Sequence, residues 1–135
     1  MSDLAVCLSR SCTTGWLDWI HGELWLAQDR LIRRRLGLGA TVRNEYGPTV
    51  VAPLPSAPAA SFDDEALLAG HPTNRVIRFD EVAAADLVRG LTCGALRVQM
   101  RDGRRHKLLW LNRDPAGHFL AGALPVALGG RVRVG

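Results

Sequence analysis

The strict alternation of apolar and polar side chains over residues 95–101 constrains the fold more than any other feature. Leu96, Val98 and Met100 alternate there with Arg97, Gln99 and Arg101. Successive side chains of a strand point to opposite faces, so this segment predicts a half-buried β-strand. Asp102-Gly103 follows, and glycine accepts the positive φ of a tight hairpin turn without strain, so residues 104–111 should return as the partner strand. Residues 75–79 and 82–87 predict two further strands, although the alanines of the latter also suit a helix.

A second hairpin is predicted in the first third of the chain. Residues 16–20 and 22–27 combine aromatic and aliphatic side chains with polar ones, which is typical of strands. Gln28-Asp29 would form the turn, and residues 31–36 would return as the partner strand. A helix over residues 23–36 is the alternative, because Glu, Leu, Ala, Gln and Arg are good helix formers. Periodicity alone favours strands only slightly.

Residues 37–74 are predicted to form a long connection with an irregular middle, because they are rich in Pro, Gly and Asn. One short helix is expected within them. Ser61 can cap it, Asp64 stands three residues later as in a capping box, and Gly70 stops it. A connection of this length in a small domain is usually functional or mobile.

A C-terminal helix is predicted over residues 116–124. Asp114 suits the N-cap and Pro115 suits the first helical position. Pro125 should end or kink this helix, because proline cannot donate the backbone hydrogen bond. The expected apolar stripe consists of Phe119, Leu120 and Ala123. Residues 129–135 are expected to be frayed or to form a short edge strand.

The composition is that of one globular domain, with 135 residues of which 47% are apolar. Cys7, Cys12 and Cys93 form no CxxC pair, and none of the four histidines has HxxxH or CxxH spacing. We therefore expect reduced thiols, no structural metal and no cofactor. The first seven residues have no basic region, and no apolar run approaches the roughly 20 residues that span a bilayer. A cytoplasmic location is therefore expected.

Three segments resemble bacterial pleckstrin-homology-like (PH-like) and GRAM-like domains. They are Gly22-Glu23-Leu24-Trp25-Leu26 with Arg30-Leu31-Ile32, then Ile77-Arg78-Phe79-Asp80-Glu81-Val82, and finally Leu96-Arg97-Val98 with Asp102-Gly103-Arg104 and Lys107-Leu108-Leu109-Trp110. The resemblance covers residues 16–124, interrupted by the connection 37–74. It implies one domain over residues 1–135, built as a strongly bent antiparallel sheet or partial barrel of seven strands, with the terminal helix as a cap. It also favours the hairpin over the helix at residues 23–36.

The basic signature of phosphoinositide-binding PH domains, K-x(n)-[KR]-x-R across the first hairpin, is absent. His21 and Glu23 are the only ionisable side chains between Trp19 and Trp25. The resemblance therefore does not imply phosphoinositide binding.

Basic residues are a second candidate feature, since the net charge is +4 and sixteen of the seventeen basic residues are arginine. A face for an anionic ligand is predicted from Arg33, Arg35, Arg97, Arg101, Arg105 and Lys107. Such a face could bind anionic membrane lipid. A solvated outer surface is the alternative and the more common explanation of a charge run. Nucleic-acid binding is disfavoured, because no exposed aromatic side chains interleave with these residues.

Trp25 is the candidate for a protein interface. If Leu24 and Leu26 face the core, Trp25 lies on the opposite face of its strand and needs a cover. The long connection or a partner could supply that cover. Cys93, His106 and Asp102 are the obvious nucleophilic set, but nothing in the pattern places them together. GxSxG, HExxH, P-loop and GxGxxG motifs are all absent.

The sequence thus predicts a non-enzymatic interaction module without an evident small-molecule substrate. Binding to another protein, or to a second copy, through the Trp25 side is the first hypothesis. Peripheral binding to anionic membrane lipid through the arginine-rich face is the alternative.

Overall fold

The computed structural model describes residues 4–14, 21–35 and 55–135. Within them the chain is mainly β with a C-terminal helix, as the sequence predicts. The strands form two sheets that are not closed into a barrel, whereas one bent sheet or partial barrel of seven strands was expected. The strand expected at residues 16–20, the last residue of the strand expected at 31–36, and the first part of the connection, residues 37–54, lie outside the described part.

The first sheet has five antiparallel strands in the order β4-β1-β2-β3-β5. The strands are β1 (Leu4–Cys12), β2 (Gly22–Leu26), β3 (Arg30–Arg35), β4 (Ser56–Pro58) and β5 (Arg75–Arg78). Trp25 pairs with Ile32, so the hairpin interpretation is correct and the helix alternative over residues 23–36 is wrong. Strand β1 was not predicted, because its mixed sequence LAVCLSRSC carries no regular alternation.

The second sheet has four strands in the order β8-β7-β6-β9. The strands are β6 (Val82–Arg89), β7 (Cys93–Met100), β8 (Arg105–Leu111) and β9 (Val132–Val134). Leu96, Val98 and Met100 are buried as the alternation predicts, and Gly103 adopts a φ of 92° in the hairpin turn. Strand β9 pairs in parallel with β6, which confirms an edge strand in the tail.

The start of the short helix α1 (Asp64–Gly70) differs from the prediction. Its cap is Asp63, whose carboxylate accepts hydrogen bonds from the backbone N–H groups of Glu65 and Ala66. The Ser61 hydroxyl donates instead to the Pro58 carbonyl at 2.6 Å. Aspartate and serine cap helices about equally well, so the sequence alone could not choose between the two positions.

The C-terminal helix α2 (Ala116–Leu128) passes through Pro125 without ending there. Leu120, Leu124 and Leu128 are buried on both sides of the proline, so packing against the sheets holds the last turn. The buried stripe therefore repeats every four residues from Ala116, whereas Phe119 is exposed.

Asp114 does not cap α2. Its carboxylate accepts hydrogen bonds from the hydroxyls of Ser9, at 2.7 Å, and Ser11. The Ser11 hydroxyl also accepts the backbone N–H of Leu111 at 3.0 Å. These bonds tie β1 to the segment that leads into α2.

The two sheets meet where the end of β1 approaches β8. Thr13 and Leu109 exchange two backbone hydrogen bonds of 2.8 Å. The main core lies between the sheets and α2, with Leu8, Leu31, Leu96 and Trp110 among its buried members. A second apolar cluster surrounds Trp25.

Candidate functional site

Trp25 is 6% exposed, so its ring is not an open interface. Phe62, just before α1, packs against it with ring centroids 5.2 Å apart. Ala5, Cys7 and Ile32 complete the cluster. The long connection therefore supplies the cover, and the idea that the Trp25 ring itself contacts a partner is corrected.

Arg33 does not belong to a ligand-binding face either, because its side chain is fully buried. Its Nε and Nη2 donate to the Cys12 carbonyl at 3.2 and 3.0 Å. Its Nη1 donates to the carbonyl and the hydroxyl of Thr73 at 3.0 and 2.6 Å. Alternation explains this position, since Arg33 lies two residues after the buried Leu31 and faces the same side of β3.

Arg35 and Arg101 are exposed but lie apart from the other predicted residues. Arg35 ends β3 in the first sheet. Arg101 begins the turn of the second hairpin, where its Nε donates to the Asp80 carbonyl at 3.0 Å. Neither side chain lines the pocket described next.

Arg97, Arg105 and Lys107 are brought together by the β7–β8 hairpin. Arg97 pairs directly with Lys107, and Gln99 pairs with Arg105. These side chains line a pocket of about 460 Å³, to which β5 of the first sheet contributes Arg75. We call this site the basic pocket, defined by Arg75, Arg97, Arg105, His106 and Lys107.

Positive charge dominates the basic pocket. Asp86 is the only carboxylate among the described residues of its lining, and its Oδ1 accepts a 2.8 Å bond from Arg133 Nε. Arg97, the cross-strand neighbour of Asp86, forms no ion pair within residues 4–14, 21–35 and 55–135, and neither do Arg105 and Lys107. The site can therefore attract an anion without first breaking a salt bridge.

His106 adds a neutral imidazole to the basic pocket. Burial lowers its pKa from the ordinary 6.5, and the nearby positive charges of Arg75 and Arg104 lower it further, while Asp102 opposes them. The imidazole is thus uncharged at neutral pH and can exchange hydrogen bonds with a ligand in either direction.

Arg75 and His106 were missed by the sequence analysis. Arg75 lies in the other sheet, and no local pattern shows that β5 and the hairpin approach each other. His106 had a usable signal, because it alternates with Leu108 and Trp110 on the inward-facing side of β8. That position places it beside buried residues and not on the solvated face.

The nucleophilic set considered above is not assembled. Cys93 pairs with Leu111 at one end of the β7–β8 ladder, whereas His106 pairs with Val98. Five residue steps separate the two positions, or roughly 17 Å along the strands. Among the described residues, no three His, Cys, Asp or Glu side chains form a group that could hold a metal ion.

None of the helices in the described ranges combines the length and apolar character needed to cross a membrane. The chain matches no known protein family model, and no curated protein is significantly similar to it.

Proposed function

We propose that the protein is a non-enzymatic binding module that docks on anionic membrane surfaces through the basic pocket. One observation carries this proposal: Arg75, Arg97, Arg105 and Lys107 line one pocket, and the single carboxylate among its described lining residues is already paired.

The number of charges suits a surface interaction of moderate strength. Each Lys or Arg close to an anionic leaflet contributes about 1 kcal/mol, so four contribute about 4 kcal/mol. Bidentate guanidinium groups also match the geometry of phosphate and carboxylate headgroups. Among the described residues that line the pocket there is no Trp, Tyr or Phe, the side chains on which the bases of single-stranded nucleic acids stack.

Co-sedimentation with vesicles tests the proposal. Phosphatidylcholine vesicles with 30% or so phosphatidylserine should bind the protein at low salt, and binding should be lost near 0.5 M salt, where the Debye length is only about 4 Å. Pure phosphatidylcholine vesicles should not bind. The double variant Arg97→Glu/Lys107→Glu should lose binding to the mixed vesicles.

The matched control is Arg35→Glu/Arg89→Glu, which changes the net charge equally at exposed positions outside the basic pocket. It should retain most of the vesicle binding. Equal loss in both double variants would mean that only net charge matters, and retention in Arg97→Glu/Lys107→Glu would refute a role of the pocket.

A protein interface on the Trp25 side is the second candidate. The ring is covered, but the cover itself displays an apolar side chain, because Leu68 of α1 is 53% exposed. A partner would then bind the outer surface of α1. If this is the function, Leu68→Glu should abolish self-association in light scattering, in a salt-independent manner, while Arg97→Glu should leave it unchanged.

A further inference from the structure

The outer face of α2 is apolar although it is exposed to solvent. Residues 116–128 contain no Asp, Glu, Lys or Arg, and His118 is their only ionisable side chain. A surface helix normally carries charged residues on its outer face, whereas a helix that is apolar all round is normally buried. Yet Val126 is 88% exposed and Phe119 is 44% exposed. This face therefore has the composition of a surface that a partner covers.

The two exposed side chains lie on one stripe of the helix. Phe119, Gly122 and Val126 follow each other at spacings of three and four residues, so they project from the same side. We call these three residues the outer stripe. A Cβ built on Gly122 would meet no atom of the described chain within 4 Å, so the middle of the stripe is open. The buried stripe described above lies on the other side of the helix and belongs to the main core.

Two outer stripes fit each other when two copies of α2 run antiparallel. A two-fold axis that passes between Gly122 and Ala123 places Phe119 of one copy opposite Val126 of the other. The symmetry repeats this contact on the other side of the axis, as in any isologous interface. The two Gly122 residues then meet near the axis, where the missing side chains let the two backbones approach closely.

The charges favour this antiparallel arrangement. The net charge is +4, so two copies repel each other, and an uncharged face lets them approach without bringing arginines together. Arg113 is exposed just before α2. In an antiparallel pair it would lie near the last turn of the partner's helix, where the helix dipole favours a cation. A parallel pair would instead place the two Arg113 side chains next to each other.

A membrane bound at the basic pocket would leave the outer stripe uncovered. Arg97 is next to Leu96 on β7, and Lys107 is next to Leu108 on β8. Both leucines belong to the main core together with Leu120 of α2. Because neighbouring side chains of a strand point to opposite faces, Arg97 and Lys107 project away from α2.

We infer that α2 forms the interface of a homodimer in which two antiparallel helices pair through their outer stripes. The helix has 13 residues and is therefore about 20 Å long. One helix pair of this length is at the lower end of specific interfaces. The dimer should therefore be reversible, with a dissociation constant of roughly 10–100 µM.

Sedimentation velocity and light scattering between about 5 and 500 µM test the inference, and the mass should rise from monomer towards dimer over this range. Val126→Glu should keep the protein monomeric. Its thermal midpoint should stay close to that of the parent, because Val126 is 88% exposed. The matched control is Leu91→Glu, which makes the same kind of change at a fully exposed residue between β6 and β7. It should dimerise like the parent.

A charge pair tests which residues face each other. Phe119→Lys alone should also be monomeric, but an equimolar mixture with Val126→Glu should form a heterodimer. In the mixture the new lysine faces the new glutamate, and one Phe119–Val126 contact is retained. If this mixture does not associate, the antiparallel pairing is wrong.

Two results would overturn the homodimer through α2 altogether. One is a parent protein that stays monomeric up to about 500 µM. The other is a dimer that survives Val126→Glu but is lost in Leu68→Glu, which would assign self-association to α1.

Discussion

Replacing Arg33 by methionine should destabilise the protein strongly, although the sequence suggested a surface position for this arginine. Methionine keeps an unbranched apolar chain but removes the donors to two carbonyls, those of Cys12 and Thr73. Each buried group left without its donor costs about 1–3 kcal/mol, so the loss should be about 2–6 kcal/mol. The middle of this range is about 4 kcal/mol.

Urea unfolding followed by circular dichroism measures this loss. With a slope of about 2 kcal/mol per molar, the midpoint of Arg33→Met should fall by about 2 M. The control Arg35→Met changes the exposed arginine of the same strand and should stay within about 0.5 kcal/mol of the parent. If Arg33→Met unfolds within 1 kcal/mol or so of Arg35→Met, Arg33 is not anchored in the core.

Three further outcomes are expected. Phe62→Ala should lower the free energy of unfolding by about 3 kcal/mol and expose Trp25 to acrylamide quenching. Unchanged quenching would contradict the conclusion that Phe62 covers the Trp25 ring. In the folded protein at pH 8, only Cys93 should react with a thiol reagent, because Cys7 and Cys12 are both buried. The pKa of the Cys7 thiol is also raised to about 11, mainly by burial and then by the charge of Glu23. Rapid labelling of all three thiols would disprove this prediction. Because the pKa of His106 is lower in the folded than in the unfolded chain, the free energy of unfolding should fall as the pH drops below 6.5. The variant His106→Gln should show a weaker dependence of stability on pH. A variant with the same pH profile as the parent would contradict this prediction.

The second hairpin could be predicted from the sequence because its information is local. Alternation over residues 95–101 places Leu96, Val98 and Met100 inside, and Asp102-Gly103 supplies the turn. The prediction of the hairpin β2–β3 depended on the family resemblance, because the residues of this segment also have high helix propensity. That resemblance to PH-like and GRAM-like domains remains a prediction, whereas the mainly β class with a C-terminal helix is confirmed.

The candidate sites could be predicted only in part, because they depend on contacts between distant segments. Arg97, Arg105 and Lys107 belong to one hairpin, and all three line the basic pocket. Arg33 belongs to the same basic run as Arg35 but faces inward, where the carbonyls of Cys12 and Thr73 accept hydrogen bonds from its guanidinium.

The bonds from Ser9 and Ser11 to Asp114 span more than 100 residues of sequence. Closing so large a loop is slow compared with forming the β7–β8 hairpin, which takes microseconds. The contacts of β1 with β8 and Asp114 should therefore form late, after the second sheet and the start of α2 have assembled. Replacing Ser11 should then accelerate unfolding while leaving the folding rate nearly unchanged, so these serines determine how long a folded molecule lasts and not how fast it forms.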